Sequence, residues 1–343
     1  MERVDESAAV MSSGLPRQAS IVRNWRGVGL ALIILLALAA PFFISNYRMF
    51  QFTFAFLYAI ALLGLNMLTG YNGQISLGHG AFYAIGAYTT AILMDRWNVP
   101  YPLTLVAAAI VCGVVGFLFG LPALRLEGLY LALATFALGL SIPQLLKYHA
   151  IENWTGGVQG IVLIKPDPPF GLPINADQWL YFFTLAVMLL MFVIGRNILK
   201  GRIGRAMVAI RDHHIAAETM GVNIAMVKSV TFGVSAMYTG VAGGLSAIAI
   251  QFVAPDSFNI FVSITFLVGV VVGGLASISG AIFGAIFIQF IPQVAEGVSK
   301  AAPWAIYGIF LIGCMYVMPL GLAGLIRIAM YRFQMRRSRA KSG

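Results

Sequence analysis

The sequence predicts an all-α polytopic membrane protein of about ten transmembrane helices, with both termini in the cytoplasm. Three observations carry that prediction. Of 343 residues, 60% are apolar and 10% charged, against about 45–50% and about 25% in a soluble domain. The charges fall between long apolar runs and not within them. The basic residues, finally, collect on alternate loops, as the positive-inside rule requires. A water-soluble domain and a disordered chain are both excluded by this composition.

Crossing the hydrocarbon core takes about 20 helical residues. Ten uncharged runs approach or exceed that length: 27–47, 49–69, 75–94, 101–122, 128–146, 178–195, 229–250, 260–276, 279–292 and 304–326. The first ends near Ala37-Leu38-Ala39, which has the form of a signal-peptidase site, but its 21 uncharged residues and the 26 before them fit a retained helix better. The third opens in glycine-rich sequence, and the ninth has only 14 residues. These two are expected to be short or re-entrant. The chain therefore reads as a cytoplasmic segment 1–26, a transmembrane domain 27–326 and a basic cytoplasmic tail 327–343. Within the domain lie an outer loop, 147–177, and a cytoplasmic loop, 196–228.

With ten spans and the termini inside, the net charge of +10 divides unevenly. Seventeen basic residues lie in the cytoplasm and five outside, while the acidic residues split six to each face. One span more would put the 196–228 loop or the tail on the wrong side. The surplus is thus a topology signal and a contact with anionic lipid, not a nucleic-acid patch.

Cys112 and Cys314 both sit in apolar runs and read as small packing residues. Glycine pairs at GxxxG spacing occur at Gly116/Gly120, Gly240/Gly244, Gly269/Gly273 and Gly280/Gly284. Such pairs let helix backbones approach closely in lipid. Three of the four fall within 240–284, where a tight helix–helix or subunit–subunit contact is expected.

No Asp, Glu, Lys or Arg lies within any of the ten runs. That argues against a proton-coupled carrier, a pump with its own charge relay and a voltage sensor. The sequence has no GxxxxGK[ST], HExxH or GxSxG and no Cys/His cluster. It offers no ATP site, no metal site and no hydrolytic constellation of its own. Any energy for transport comes from another chain, or the path is passive.

Three segments carry further information. Residues 70–88 hold five glycines together with Asn72, Gln74, Ser76 and His79. Gly73, Gly78 and Gly80 suit irregular backbone, which membranes tolerate only where protein buries it or where it lines a wet cavity. Cavity lining and a plain glycine-rich turn both remain open from these residues alone. In the 196–228 loop, Ile203, Met207, Ile210, Ala217 and Met220 recur as one face of a helix ending at Gly221 and Asn223. Its lack of Trp and Phe suits a groove on a soluble partner better than a lipid surface. The outer loop, with Trp154-Thr-Gly-Gly, reads either as a cap over the helices or as a docking surface for an external partner.

In this order the segments resemble the permease subunits of bacterial branched-chain amino-acid ABC importers, of the LivM type. The match rests on GYNGQISLGHGAFYAIGAY (70–88), LRLEGLYLALATFALG (124–139), TGG (155–157), GRAMVAIRDHHIAAETMGV (204–222), VVVGGLASISGAIFGA (270–285) and MPLGLAG (318–324). The resemblance implies a multi-pass protein of the bacterial inner membrane. It implies a sister permease, two cytoplasmic ATPase subunits that hold the ATP and magnesium, and an extracytoplasmic substrate-binding protein. It assigns the 204–222 helix to ATPase coupling, through Arg205, Arg211, Asp212, Ala216, Ala217, Glu218 and Gly221. It also favours a substrate pathway along Asn72, Gln74, Ser76, Gly78, His79 and Gly80. Relatives carrying urea, short amides or aromatic acids share these motifs. A passive channel for small neutral solutes is the alternative from a different class.

Overall fold

The computed structural model describes residues 35–126, 128–169 and 173–298, with scattered positions between 308 and 325. The chain divides into two units, residues 1–49 and 50–343. The first contributes a short 3-10 turn, Ala40–Phe42, and the start of helix α1. Of the first expected span, 27–47, residues 35–47 are described and are corrected from one helix: helix at 35–39 gives way to the 3-10 turn, and α1 starts at Asn46. The tenth, 304–326, is described only in part.

The elements then follow in order as helices α1 (Asn46–Asn66, continued by a π-helical turn Met67–Tyr71), α2 (His79–Trp97), α3 (Tyr101–Ala123), α4 (Leu129–Leu146) and α5 (His149–Thr155), and strand β1 (Ile161–Val162). Next come α6 (Ala176–Lys200), α7 (Arg202–Asp212), α8 (His214–Thr219), α9 (Ile224–Ile250), strand β2 (Phe252–Val253), α10 (Ile260–Gly273) and α11 (Ile278–Val298). Among the described residues, seven helices are long and apolar enough to cross a membrane: α1, α3, α4, α6, α9, α10 and α11.

Helix α2 is not one of the seven, for a physical reason. It packs against α3, α4, α9 and α10 and is buried along most of its length by residues such as Ala81, Phe82, Ala84, Ala87, Tyr88 and Ala91. A helix wrapped in protein needs small residues for close contact, not a lipid-soluble surface. Helices α1 and α9 are likewise buried over most of their length, whereas α3, α4 and α6 bury only about a third. The outward stripe of α3, Leu103, Val106, Ile110, Val114 and Leu118, is exposed at the spacing of one helix face.

The ninth expected span is corrected. It is no short segment but α11, with 21 residues and Pro292 inside the helix. The sequence run ended where polar groups begin, yet Gln293 finds a partner in α1: Gln51 Nε2 donates to Gln293 Oε1 at 2.6 Å. The third is corrected at its start. It does not open at residue 75, because helix begins only at His79.

All four GxxxG pairs lie at helix–helix contacts within this chain. A Cβ on Gly273 would stand 2.1 Å from the Gly280 carbonyl oxygen, and one on Gly284 would stand 2.0 Å from that of Gly269, locking α10 onto α11. On α9, Gly240 receives the Cys112 side chain of α3, with its Cβ position 2.4 Å from Sγ. Gly116 and Gly120 of α3 face Ala236 and Ser229 of α9 in turn. Two glycines outside the pairs are as tight: Gly86 against Gly240, and Gly243 with its Cβ position 2.0 Å from the Tyr83 carbonyl oxygen.

At one end of the helices the outer loop forms a structured cap. Strands β1 and β2 pair antiparallel, Ile161 opposite Val253 and Val162 opposite Phe252. Arg96 at the end of α2 donates to the Asn153 carbonyl, and Lys147 pairs with Asp256. Thr155 of the TGG motif donates to the Leu146 carbonyl at 2.7 Å and accepts from Gly157 N–H at 3.2 Å. At the other end lie α7 and α8, beside the end of α1 and the turn after α3. From the sequence this end, with the basic loop 196–228, is expected on the cytoplasmic side.

Gly243→Val is expected to destabilise the protein by about 2 kcal/mol or more, because backbone on both sides leaves no room to yield. Gly297→Ala in α11 meets nothing within 4 Å and is expected to leave thermal unfolding in detergent unchanged or slightly raised.

Candidate functional site

Between α1 and α2 the backbone leaves helical geometry. Residues 72–78 belong to no helix or strand, and burial alternates along part of them: Asn72, Gln74 and Ser76 are buried, while Gly73 and Ile75 are exposed. Gly73, at φ +73°, makes the turn out of the π-helical segment.

The depth of this segment follows from its partners. His79 Nε2 lies 2.7 Å from Ser235 Oγ, and Ser235 stands eleven residues into α9. Lys228 of α9 lines the cavity beside α8, so the uncharged part of α9 starts at Ser229 and Ser235 stands about 9 Å into it at about 1.5 Å per residue. Helix α2 thus begins inside the apolar layer, inward of its edge.

A helix start leaves its first amides without helical partners, and in lipid no water replaces them. Here, hydroxyls from other helices serve. Leu77 N–H donates to Thr135 Oγ1 of α4 at 3.0 Å, and Gly80 N–H donates to Ser263 Oγ of α10 at 2.8 Å. Gly78 N–H reaches Ser76 Oγ at 3.3 Å. The glycines let these helices come close: Cβ positions on Gly78 and Gly80 would lie 2.7 Å from the Thr135 carbonyl oxygen and the Ser263 hydroxyl.

The histidine completes the arrangement. Ser235 Oγ donates to the Gly64 carbonyl at 2.6 Å, so it accepts from His79 Nε2–H. Ser76, which already accepts from Gly78 N–H, donates to His79 Nδ1 at 3.0 Å. The directions fit neutral imidazole carrying its proton on Nε2, the form that burial favours. His79 is fully buried, with both ring nitrogens used. Nearer the cytoplasm, Asn72 Nδ2 donates to Gln74 Oε1 at 3.1 Å, and Thr69 Oγ1 donates to the Gln74 carbonyl at 3.1 Å. Asn66 brackets the α10–α11 turn, its Nδ2 donating to the Ser277 carbonyl at 2.8 Å and its Oδ1 accepting from Ala276 N–H at 2.9 Å.

The six residues of the expected pathway are therefore brought together, with Asn72, Gln74, Ser76 and His79 directed into the protein and not away from it. Thr135, Ser235 and Ser263 bond the start of α2, and Asn66 bonds the α10–α11 turn; all four escaped the sequence reading. Their signal was a polar residue inside a mostly apolar run.

The cytoplasmic helix is corrected from one element to two. His213, extended at φ −159° and ψ 92°, separates α7 from α8. Met207, Ile210 and Ala217 are buried as the stripe predicts, but Ile203 and Met220 are exposed. Both exposed positions lie at ends: Ile203 in the first turn of α7 and Met220 just past the last residue of α8. Gly221, at φ +83°, ends α8, and Asn223 caps α9 by accepting from Met226 N–H at 2.9 Å. Arg205 Nη1 donates to the Lys200 carbonyl at 3.1 Å, while Arg211 pairs with Asp212. Ala216 and Glu218 face outward. His214, Glu218, Gly221 and Lys228, with Leu124 of the α3–α4 turn, line a cavity of about 600 Å³. Among the described residues no group of three His, Cys, Asp or Glu side chains stands together to hold a metal ion.

Ser235→Ala and Ser263→Ala each strand a buried donor, His79 Nε2–H and Gly80 N–H respectively. Each is expected to cost about 1–3 kcal/mol in unfolding measurements on the detergent-solubilised protein. Thr219→Ala, at an exposed hydroxyl that bonds only within its own helix, is expected to cost less than about 0.5 kcal/mol.

Residues 48–319 match the family described as branched-chain amino acid transport system / permease component. The high-affinity branched-chain amino acid transport system permease protein LivM of Escherichia coli K12 is 32% identical over 322 residues, covering 87% of this chain and 75% of its own. The probable branched-chain amino acid transport permease protein LivH of Methanocaldococcus jannaschii is 25% identical, over 78% of this chain and 89% of its own. The permease protein BraD of Pseudomonas aeruginosa, from a high-affinity branched-chain amino acid transport system, is also 25% identical, over 80% and 89%. No solved structure matches. A match over most of its length, together with a multi-pass helical fold built around a broken helix, makes this chain a member of the branched-chain amino acid transport permease family.

Proposed function

We propose that the chain is one membrane subunit of an ATP-driven importer for branched-chain or closely related amino acids in the bacterial inner membrane. A sister permease completes the path, an external binding protein delivers substrate over the outer loop, and ATPase subunits with ATP and magnesium dock beneath. The observation that carries this reading is the form of the cytoplasmic helix pair. α7 is seated on the protein by Met207 and Ile210, and α8 by Ala217. Ile215, Met220 and Met226, 59%, 85% and 55% exposed, are left to face the cytoplasm beside the cavity bearing His214, Glu218 and Lys228. Exposed apolar groups ringed by charge are what a protein partner covers. The family match supplies the transport class.

An uncharged core suits this assignment. A zwitterion crossing between two permeases can meet backbone dipoles and hydroxyls without a fixed charge to trap it. On this reading, Asn72, Gln74, Ser76, Gly78, His79 and Gly80 hold the shape of the path wall, and Gly73 and Ile75 present its surface. Arg205, Arg211, Asp212, Ala216, Ala217, Glu218 and Gly221 form the coupling region.

Co-expression with the ATPase subunits tests the reading. The intact chain is expected to retain them through purification, and Glu218→Arg to weaken that retention and leucine uptake together by about tenfold, the cost of a like-charge clash at a docking surface. Liposomes holding this chain alone are expected to show no solute flux. Flux from the lone chain, or full ATPase retention and uptake by Glu218→Arg, contradicts it.

A further inference from the structure

The cytoplasmic pair touches the unwound segment at a specific place. Arg211, in the last turn of α7, donates from Nη1 to the Gly70 carbonyl at 2.8 Å. Gly70 stands in the π-helical turn that closes α1, one of the last carbonyls before the chain leaves helical geometry. These carbonyls carry the negative end of the helix dipole and have no helical donor, so a guanidinium is the matched partner. The same side chain lies over Gly73, whose Cβ position would be 3.0 Å from Arg211 Cγ. Its other nitrogens, Nε and Nη2, are each 2.9 Å from Asp212 Oδ1. The guanidinium is thus held on α7 by Asp212 and, in turn, holds the mouth of the segment.

Inward of that mouth the covalent segment joins two hydrogen-bonded groups: Gln74 with Thr69 and Asn72, then Ser76 with His79 and Ser235. We propose that Arg211 is a positioning residue that transmits movement of the cytoplasmic helix pair to segment 72–78, and through it to the start of α2. The proposal rests on the reading of α7–α8 as the ATPase docking region. A displaced α7 pulls Gly70 and Gly73 directly, because a planar fork fixed at both sides resists rotation. Transmission then needs no charge inside the membrane.

The experiment uses the assembled complex in proteoliposomes, with uptake and ATP hydrolysis measured side by side. Arg211→Met keeps an apolar stem over Gly73 but removes every donor. It is expected to retain the ATPase subunits and their hydrolysis while uptake per ATP falls about tenfold, within the range of an ordinary coupling energy. Arg211→Lys, with one donor able to reach Gly70, is expected to recover part of that ratio. Gly73→Ala, strained by its positive φ and pressed on the Arg211 stem, is expected to lower the ratio from the opposite side of the contact. Wild-type uptake per ATP in Arg211→Met overturns the proposal. So does a parallel fall of hydrolysis and uptake with no recovery in Arg211→Lys, which marks a purely structural anchor. Failure of the unsubstituted chain to bind ATPase subunits rejects the docking reading itself, a result separate from these.

Discussion

The architecture depends on one constraint: a helix that starts inside the apolar layer must have its first amides satisfied by protein. Beginning α2 at His79 leaves the N–H groups of Leu77, Gly78 and Gly80 in a region without water. They are met by hydroxyls of Thr135 and Ser263, from α4 and α10, and by Ser76 of the segment itself. Because a serine or threonine hydroxyl reaches only a short way from its backbone, α4 and α10 have to lie almost against the segment. Glycine at 78 and 80 is what permits that approach. The tight α2–α9 contact through Gly86, Gly240 and Gly243 follows from the same need, since Ser235 of α9 has to reach His79.

Much of this was legible in the sequence, and the part that was not has a common cause. Long uncharged runs mark α1, α3, α4, α6, α9 and α10 because lipid selects for side-chain polarity, which any reading of composition detects. The GxxxG pairs forecast tight contacts because close approach is a local property of two helix faces. Thr135, Ser235 and Ser263 were missed because a lone hydroxyl costs little in a helix, where it can bond its own backbone, as Thr135 also does to Ala132. What makes these three matter is a partner far along the chain, and sequence spacing does not encode that. Helix α2 was recognised, but its start was placed four residues early because Ser76 and Leu77 continue an uncharged run.

The cytoplasmic loop teaches the complementary lesson. A periodic stripe correctly identified Met207, Ile210 and Ala217 as the seated face. It failed at Met220 because the helix ends at Thr219 and Met220 stands beyond it as the cap residue, where helical spacing no longer applies. The helix end has a consequence for the docking surface. Met220 is left exposed there, and Ile215 and Met226 are exposed as well.

The two ends of the helices are held by different chemistry, and this bears on the direction of movement. The outer end is pinned by a strand pair, by the Lys147–Asp256 and Lys165–Asp177 ion pairs and by the Arg96 bond to Asn153, several independent ties within one cap. At the cytoplasmic end, α7 and α8 rest on a narrow apolar face and on the Arg211 bond to Gly70. An element with few buried apolar contacts opens at lower free energy than one with many. Displacement is therefore easiest where the ATPase subunits are proposed to dock. On the proposed route inward it meets only uncharged hydrogen bonds, which can exchange partners without exposing a charge to lipid. A charged relay in the same place would hold the segment more strongly but would carry a desolvation cost in every state in which it was unpaired.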